Sequence, residues 1–205
     1  MLNIAVFVSG RGSNLRAIHE AVERGTLDAK IVLVLSSRDD APALTWASAR
    51  GIPTASLQGI AADEVATNIV QHLESAGTDF IALAGYMKRI PEEVVRWYRG
   101  RMVNVHPALL PSFGGKGMYG ERVHKAVLDA GVRVSGATVH IVDEEYDRGP
   151  IVLQRCVPVE ENDTPASLAE RVLAVEHALL PEALQLFSRG QMEVRDGRVQ
   201  STKQR

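Results

Sequence analysis

The sequence predicts an α/β protein: an open, mostly parallel twisted sheet, doubly wound, with helices on both faces. Two observations predict it. Apolar runs of strand length alternate with helical patterns through the first half of the chain, and a βαβα order of this kind builds a doubly wound sheet. The runs are also almost continuously apolar, as strands covered on both faces must be.

In chain order, residues 3–9, 30–36, 53–57, 80–84 and 102–106 are expected as strands, and 13–24, 41–50, 62–75 and 91–98 as the helices between them. The second half changes character. Residues 119–130 read as a helix, while 132–142 and 149–159 read as longer strands joined by a loop carrying DEEYDRGP. Asp163 or Thr164 is placed to cap a long helix that has Pro165 early, ends near Arg189 and is followed by Gly190. Residues 191–199 suit a last short strand or hairpin, and about six closing residues are expected to fray. A chain of 205 residues without repeat, low-complexity tract or linker is expected to form one domain, 1–205.

Composition narrows the function classes. At 45% hydrophobic residues the chain can bury a full core, and a net charge of −2 gives no broad surface for nucleic acid. An anionic ligand must therefore be held by local features. The single Cys156 rules out an internal disulfide and fits a reducing compartment. The N-terminus MLNIAVFVSGRG lacks the marks of a signal peptide, and no apolar run is long enough to cross a bilayer. A cytoplasmic protein is expected.

Two stretches carry chemistry. The first strand empties into Ser9-Gly10-Arg11-Gly12-Ser13-Asn14, and a helix follows at once. Glycines let backbone approach a ligand, and a helix N-terminus offers N–H groups to an anion. The same residues also suit a plain β–α turn with a capping serine. A dinucleotide fingerprint would need glycine where Leu15 stands, and no GK[ST] forms a P-loop, so a phosphate monoester fits best. Asp39 and Asp40 read as caps of the following helix.

The other stretch is MVNVHPALLPSF. In an extended strand Asn104 and His106 share a face, at the carboxyl end where open α/β sheets place their ligand crevice. An amide can donate to a developing oxyanion, and a histidine can donate or exchange a proton near neutral pH. A histidine satisfied by backbone and an asparagine in a turn are the structural alternative. Pro107 ends the ladder and Pro111 stiffens the turn. Asp147 sits among Asp143, Glu144 and Glu145, where most acids are surface charge, and spacing alone does not bring it to His106.

Taken together, NVHPALLPSF, DRGP and SGRGSNL resemble the phosphoribosylglycinamide formyltransferases, within the folate-dependent formyltransferase group. The likeness runs from Ile4 to about Arg189. It implies a Rossmann-like formyltransferase fold. It also implies transfer of the formyl group of 10-formyltetrahydrofolate, the co-substrate, to the amine of glycinamide ribonucleotide (GAR) in purine biosynthesis. No metal is expected. Asn104, His106 and Asp147 match the catalytic residues: Asn104 for the oxyanion, His106 as donor and proton carrier, Asp147 to keep His106 charged or oriented. Gly12, Ser13 and Asn14 match the loop gripping the GAR phosphate, Glu176 the acid binding the ribose hydroxyls, and Pro107 a further GAR contact. Met87, Lys88, Arg89 and Ile90 match the folate-lining segment, and Val142 opens the loop that meets the pterin. His140 matches a histidine near the catalytic centre, and Lys116 is a candidate cation near the substrates.

This sequence departs from the family in lacking a basic residue in GIAADEVATN, where an arginine often helps hold the folate. Two other readings keep the fold: a formyltetrahydrofolate hydrolase, or a non-catalytic module binding a phosphoribosyl ligand. The extra domains usual in the hydrolase, and in the formyltransferase acting on methionyl-tRNA, find no room in the span read here. Partners are expected to be small-molecule substrates rather than nucleic acid or membrane, with the protein a monomer or homodimer.

Overall fold

The computed structural model describes residues 1–195 and 197–202. Its elements in order are β1 (Leu2–Val8), α1 (Ser13–Glu23), β2 (Ala29–Ser36), α2 (Pro42–Ser48), β3 (Thr54–Ser56), α3 (Val65–Ser75), β4 (Phe80–Leu83), α4 (Glu92–Trp97), β5 (Met102–His106), α5 (Glu121–Asp129), β6 (Val134–Ile141), β7 (Ile151–Pro158), α6 (Pro165–Ser188), β8 (Met192–Arg195) and β9 (Arg198–Ser201). Seven strands form one sheet in the order β3-β2-β1-β4-β5-β6-β7, and β8-β9 form a separate hairpin. The β1–β2, β1–β4 and β2–β3 pairs are parallel, while β6–β7 is antiparallel. The mostly parallel α/β class read from the apolar runs holds.

The chain divides into two compact units, Met1–Val103 and Asn104 onward. In the first, residues 4–8 of β1 and all of β4 are buried, as unbroken apolar strands between parallel neighbours should be. In the second, β6 is buried over seven of its eight positions, whereas β7 buries Val152 and Val157 and exposes Gln154, Arg155 and Cys156 between them.

Helix α6 begins at a capping box. The Thr164 side chain accepts from the Ser167 N–H, and Ser167 Oγ accepts from the Thr164 N–H. Asp163, the other candidate cap, instead pairs with Arg171 at 2.6 Å. That guanidinium holds its carboxyl well below the usual carboxylate range. Pro181 sits inside α6 and cannot bond back to the preceding turn. Burial of Leu179, Leu180, Ala183 and Leu184 around it carries the helix through.

Differences from the sequence reading fall at element ends. The third helix starts at Val65 rather than 62, because a turn closed by Glu64 N–H to Ala61 O precedes it and no side chain caps it. Asp39 and Asp40 do not cap α2. Ala41 occupies that position, and Asp40 is bonded to Arg38 at 2.6 and 2.8 Å. Of the residues expected to fray, Gln200 and Ser201 belong to β9, and the Thr202 N–H donates to Gln191 O. Residues 203–205 lie outside the described residues. No described helix is long and apolar enough to cross a membrane.

Candidate active site

Strand alternation places Asn104 and His106 as expected, Asn104 half-buried and His106 only 3% exposed. The turn that follows is pinned from beneath. Thr138 Oγ1 donates to Ala108 O at 2.6 Å and accepts from the Leu110 N–H at 3.0 Å. Gln154 Nε2 donates to Leu110 O at 2.8 Å and to Thr138 Oγ1 at 3.0 Å. Gly136 leaves the space that Leu109 fills: a Cβ there would lie 2.8 Å from Leu109 Cδ2. Thr138→Val removes a fully buried hydroxyl and strands a carbonyl and an N–H. It is expected to lower stability by about 2–4 kcal/mol, read by denaturant titration; an unchanged midpoint would show that the turn does not depend on Thr138.

The same turn fixes the histidine. His106 Nε2 donates to the Phe113 carbonyl at 2.8 Å, which leaves Nδ1 as the nitrogen free to exchange a proton. Nδ1 faces Asp147 Oδ2 at 3.6 Å. Asp147 does not belong with the solvated acids beside it, since its side chain is only 11% exposed. Its backbone is left-handed, φ 55°, a conformation that Asp tolerates better than most residues. The Gly115 N–H donates to Asp147 Oδ2 at 2.8 Å, so the 113–115 segment holds both members of the pair. Gly114 between them has no room for a side chain, because a Cβ would overlap Leu110 Cδ2 and lie 3.2 Å from Asp147 Cβ.

His140 completes the cluster. It is 3% exposed, with Nε2 3.1 Å from Asn104 Nδ2 and 3.5 Å from Asp147 Oδ1. Asn104, His106, His140 and Asp147 are thus brought together.

Electrostatics divides the roles. Burial pulls the His106 pKa below the ordinary histidine value. Asp147 and the Phe113 carbonyl oppose that shift without cancelling it, and His140 adds to it. His124, buried on α5, is lowered by burial and by His106. For Asp147 burial acts upward, but His140, His106 and the Gly115 N–H outweigh it and hold the carboxyl below its usual value. Stability is therefore expected to fall as pH drops through about 6.5, because the unfolded chain then binds protons that the buried rings do not. The contribution of Asp147 is present above the ordinary carboxyl value and lost as pH falls through its lowered one. Denaturant midpoints across this range check the first effect, and His124→Gln should flatten the slope; a rising midpoint toward acid would contradict it.

The remaining candidates divide between the units. In the first, Gly12 is the N-cap of α1 at φ 72°, and a Cβ on it would lie 2.7 Å from Ala43 Cβ, so only glycine fits. Ser13 is half-buried and Asn14 buried; Ser13 opens the helix rather than capping it. Ser9, whose role the motif did not reveal, accepts the Met87 N–H at 2.8 Å and meets Ser37 Oγ at 2.7 Å. It ties the glycine loop to the segment at 87–90. There Met87, Lys88 and Arg89 are exposed and Ile90 is buried, with Arg89 3.0 Å from Glu92. The ring of the preceding Tyr86 packs edge-on to Phe7, and burial pushes its hydroxyl pKa up to about 12.

In the second unit, Glu176 is buried on α6, unlike an ordinary solvated helix acid. Pro107 and Val142 are half-buried, and Lys116 is exposed. Among the described residues no group of His, Cys, Asp and Glu is arranged to hold a metal ion.

The sheet is mostly parallel α/β, with Asn104, His106, His140 and Asp147 gathered at the end of β5; residues 2–184 match the formyl transferase family, and the chain belongs to it. It is 46% identical over 189 residues to the chloroplastic phosphoribosylglycinamide formyltransferase of Arabidopsis thaliana, covering 88% of this chain and 63% of that protein. It is 41% identical over 202 residues to the trifunctional purine biosynthetic protein adenosine-3 of Bos taurus, covering 96% of this chain and 19% of that protein. The solved structure of glycinamide ribonucleotide transformylase 1 from Symbiobacterium toebii superposes with a TM-score of 0.92 at 35% identity, over 99% of this chain and 95% of that one. The chain spans less than two thirds of the length of the plant relative.

Proposed function

We propose that this chain transfers the formyl group of 10-formyltetrahydrofolate to the amine of GAR in purine biosynthesis. The observation that carries the reading is the convergence of Asn104, His106 and Asp147 in one buried cluster, at spacings of hydrogen-bond and ion-pair length through His140 and the 113–115 segment. The relatives' names support formyl transfer to GAR and a place in purine biosynthesis.

The donor set fits the chemistry. 10-Formyltetrahydrofolate, when bound, supplies the electrophilic formyl carbon. Asn104 offers an amide N–H to the oxygen that gains charge when the amine adds, as a donor held in place before the charge develops. His106, neutral in the resting protein, takes a proton at Nδ1. Asp147, facing that nitrogen, stabilises the imidazolium so formed, which gives the proton to the folate nitrogen as its bond to the formyl carbon breaks and tetrahydrofolate leaves. No covalent bond to the protein is required.

Gly12, Ser13 and Asn14 hold the GAR phosphate at the amino end of α1, where backbone N–H groups and the helix dipole favour an anion. The resemblance assigns Glu176 to the ribose hydroxyls and Pro107 to a GAR contact. It assigns Met87 to Ile90 and Val142 to folate, with Lys116 a candidate cation.

The chain acts as one formyltransferase domain, a Rossmann-like enzyme of the cytoplasm, monomeric or homodimeric, with small-molecule partners only. Absorbance-monitored turnover of the donor tests the reading. Consumption only in the presence of GAR supports it. Consumption without GAR would mark a hydrolase, and binding without consumption a non-catalytic module.

A further inference from the structure

We propose that His140 is a positioning residue which, as the neutral Nδ1–H tautomer, accepts a hydrogen bond from Asn104 and so fixes which way the Asn104 amide faces. The inference rests on the formyl-transfer reading for its kinetic consequence, but not for its geometry.

The tautomer follows from one contact. His140 Nδ1 lies 2.9 Å from the Ile141 carbonyl, which only accepts, so the proton is on Nδ1. In a neutral ring Nε2 is then a bare acceptor, and Asn104 Nδ2 at 3.1 Å is its donor. An amide nitrogen carries two protons. With one given to His140, the other remains for a developing oxyanion, and the amide oxygen is turned away. A ring bonded to the amide oxygen instead would have to protonate Nε2, and Asn104 would then present an acceptor where a donor is needed.

Asp147 is the competing partner. A protonated Nε2 would point its hydrogen at Asp147 Oδ1, 3.5 Å away, and release Asn104; only as that donor would His140 hydrogen-bond Asp147 and lower its carboxyl pKa. That distance is at the outer limit of a hydrogen bond, while 3.1 Å is within the ordinary range. The geometry therefore favours the Asn104 bond.

The backbone holds the arrangement. The β6–β7 register shifts between Val139 and His140, whose partners are Leu153 and Ile151, leaving Val152 as the extra residue; bulges of this kind re-aim side chains beside active sites. The Ile141 carbonyl is backed by Gly149, where any Cβ would overlap it. The Ile141 N–H is bonded to Pro150 O at 2.8 Å. The glycine of DRGP thus serves His140, while its aspartate serves His106.

The ring state is read directly by long-range ¹H–¹⁵N NMR of the wild-type protein near neutral pH. A protonated Nδ1 with an unprotonated Nε2 at His140 is expected; a ring protonated at Nε2 overturns the proposal, whatever the protein's activity. In kinetics, His140→Ala is expected to lower kcat by about 10–100-fold with KM little changed, less than loss of an oxyanion donor outright. In an Asn104→Ala background the same change should cost almost nothing further, and a fully additive loss overturns the proposal. Absence of formyl transfer by the wild type would count against the proposed function alone. The NMR result stands apart from it.

Discussion

His106→Ala is expected to lower the rate of formyl transfer by about 10²–10⁴-fold, the range for loss of a positioned proton carrier. The ring is buried, holds Nε2–H on the Phe113 carbonyl and turns Nδ1 to Asp147. His140 is not placed to take over, since its Nδ1 proton is committed to Ile141 O and its Nε2 to the Asn104 amide. Asp147→Asn should approach the same loss. Asparagine accepts the left-handed backbone at this position and can still accept from the Gly115 N–H, so the change removes charge with little change of shape. Removing the ring leaves the Phe113 carbonyl without its donor, at a cost of about 1–3 kcal/mol. Circular dichroism melts separate that loss from the kinetic one. Near-normal turnover by folded His106→Ala would remove His106 from the mechanism.

Asn104→Ala is expected to lower kcat by about 10²–10³-fold, the effect of deleting one oxyanion donor, with KM for both substrates changed far less. The split matters because an interaction made only in the transition state moves kcat, while uniform binding moves KM. Asn104 is only half-buried, so truncation should leave the fold stable. A rise in KM at unchanged kcat would make Asn104 a substrate contact rather than an oxyanion donor.

Much of the fold was legible because parallel strands buried on both faces must be apolar there, and residues 4–8 of β1, 31–35 of β2 and all of β4 are. The ends of elements were less so. Whether Ala61 to Glu64 form a turn or the first turn of a helix depends on backbone bonding that no side chain there announces. Asn104 and His106 were legible as a pair because a strand's alternation is local.

Asp147 was not legible from its neighbours. Its approach to His106 depends on a positive φ, on the Gly115 N–H and on how β6 leads into its loop, all set by contacts distant in sequence. The resemblance supplied Asp147 and its pairing with His106, and the structure sets Nδ1 and Oδ2 of the two 3.6 Å apart. Thr138 was missed, although the signal was present. Thr138 and His140 are polar residues at i and i+2 in a buried strand, the same pattern that marked Asn104 and His106. Phe113 could not have been found this way, because what matters is its carbonyl, set by a left-handed backbone unusual for phenylalanine.

The most direct measurement of the central claim is the fate of the formyl carbon in a single turnover. Protein in excess over GAR is mixed with 10-formyltetrahydrofolate carrying a ¹³C-formyl group, and the products are resolved by mass spectrometry. The account predicts the label on the GAR amine, with free formate at background and the yield collapsing in His106→Ala and Asp147→Asn. Label recovered as formate in the wild type, with GAR unmodified, would contradict it.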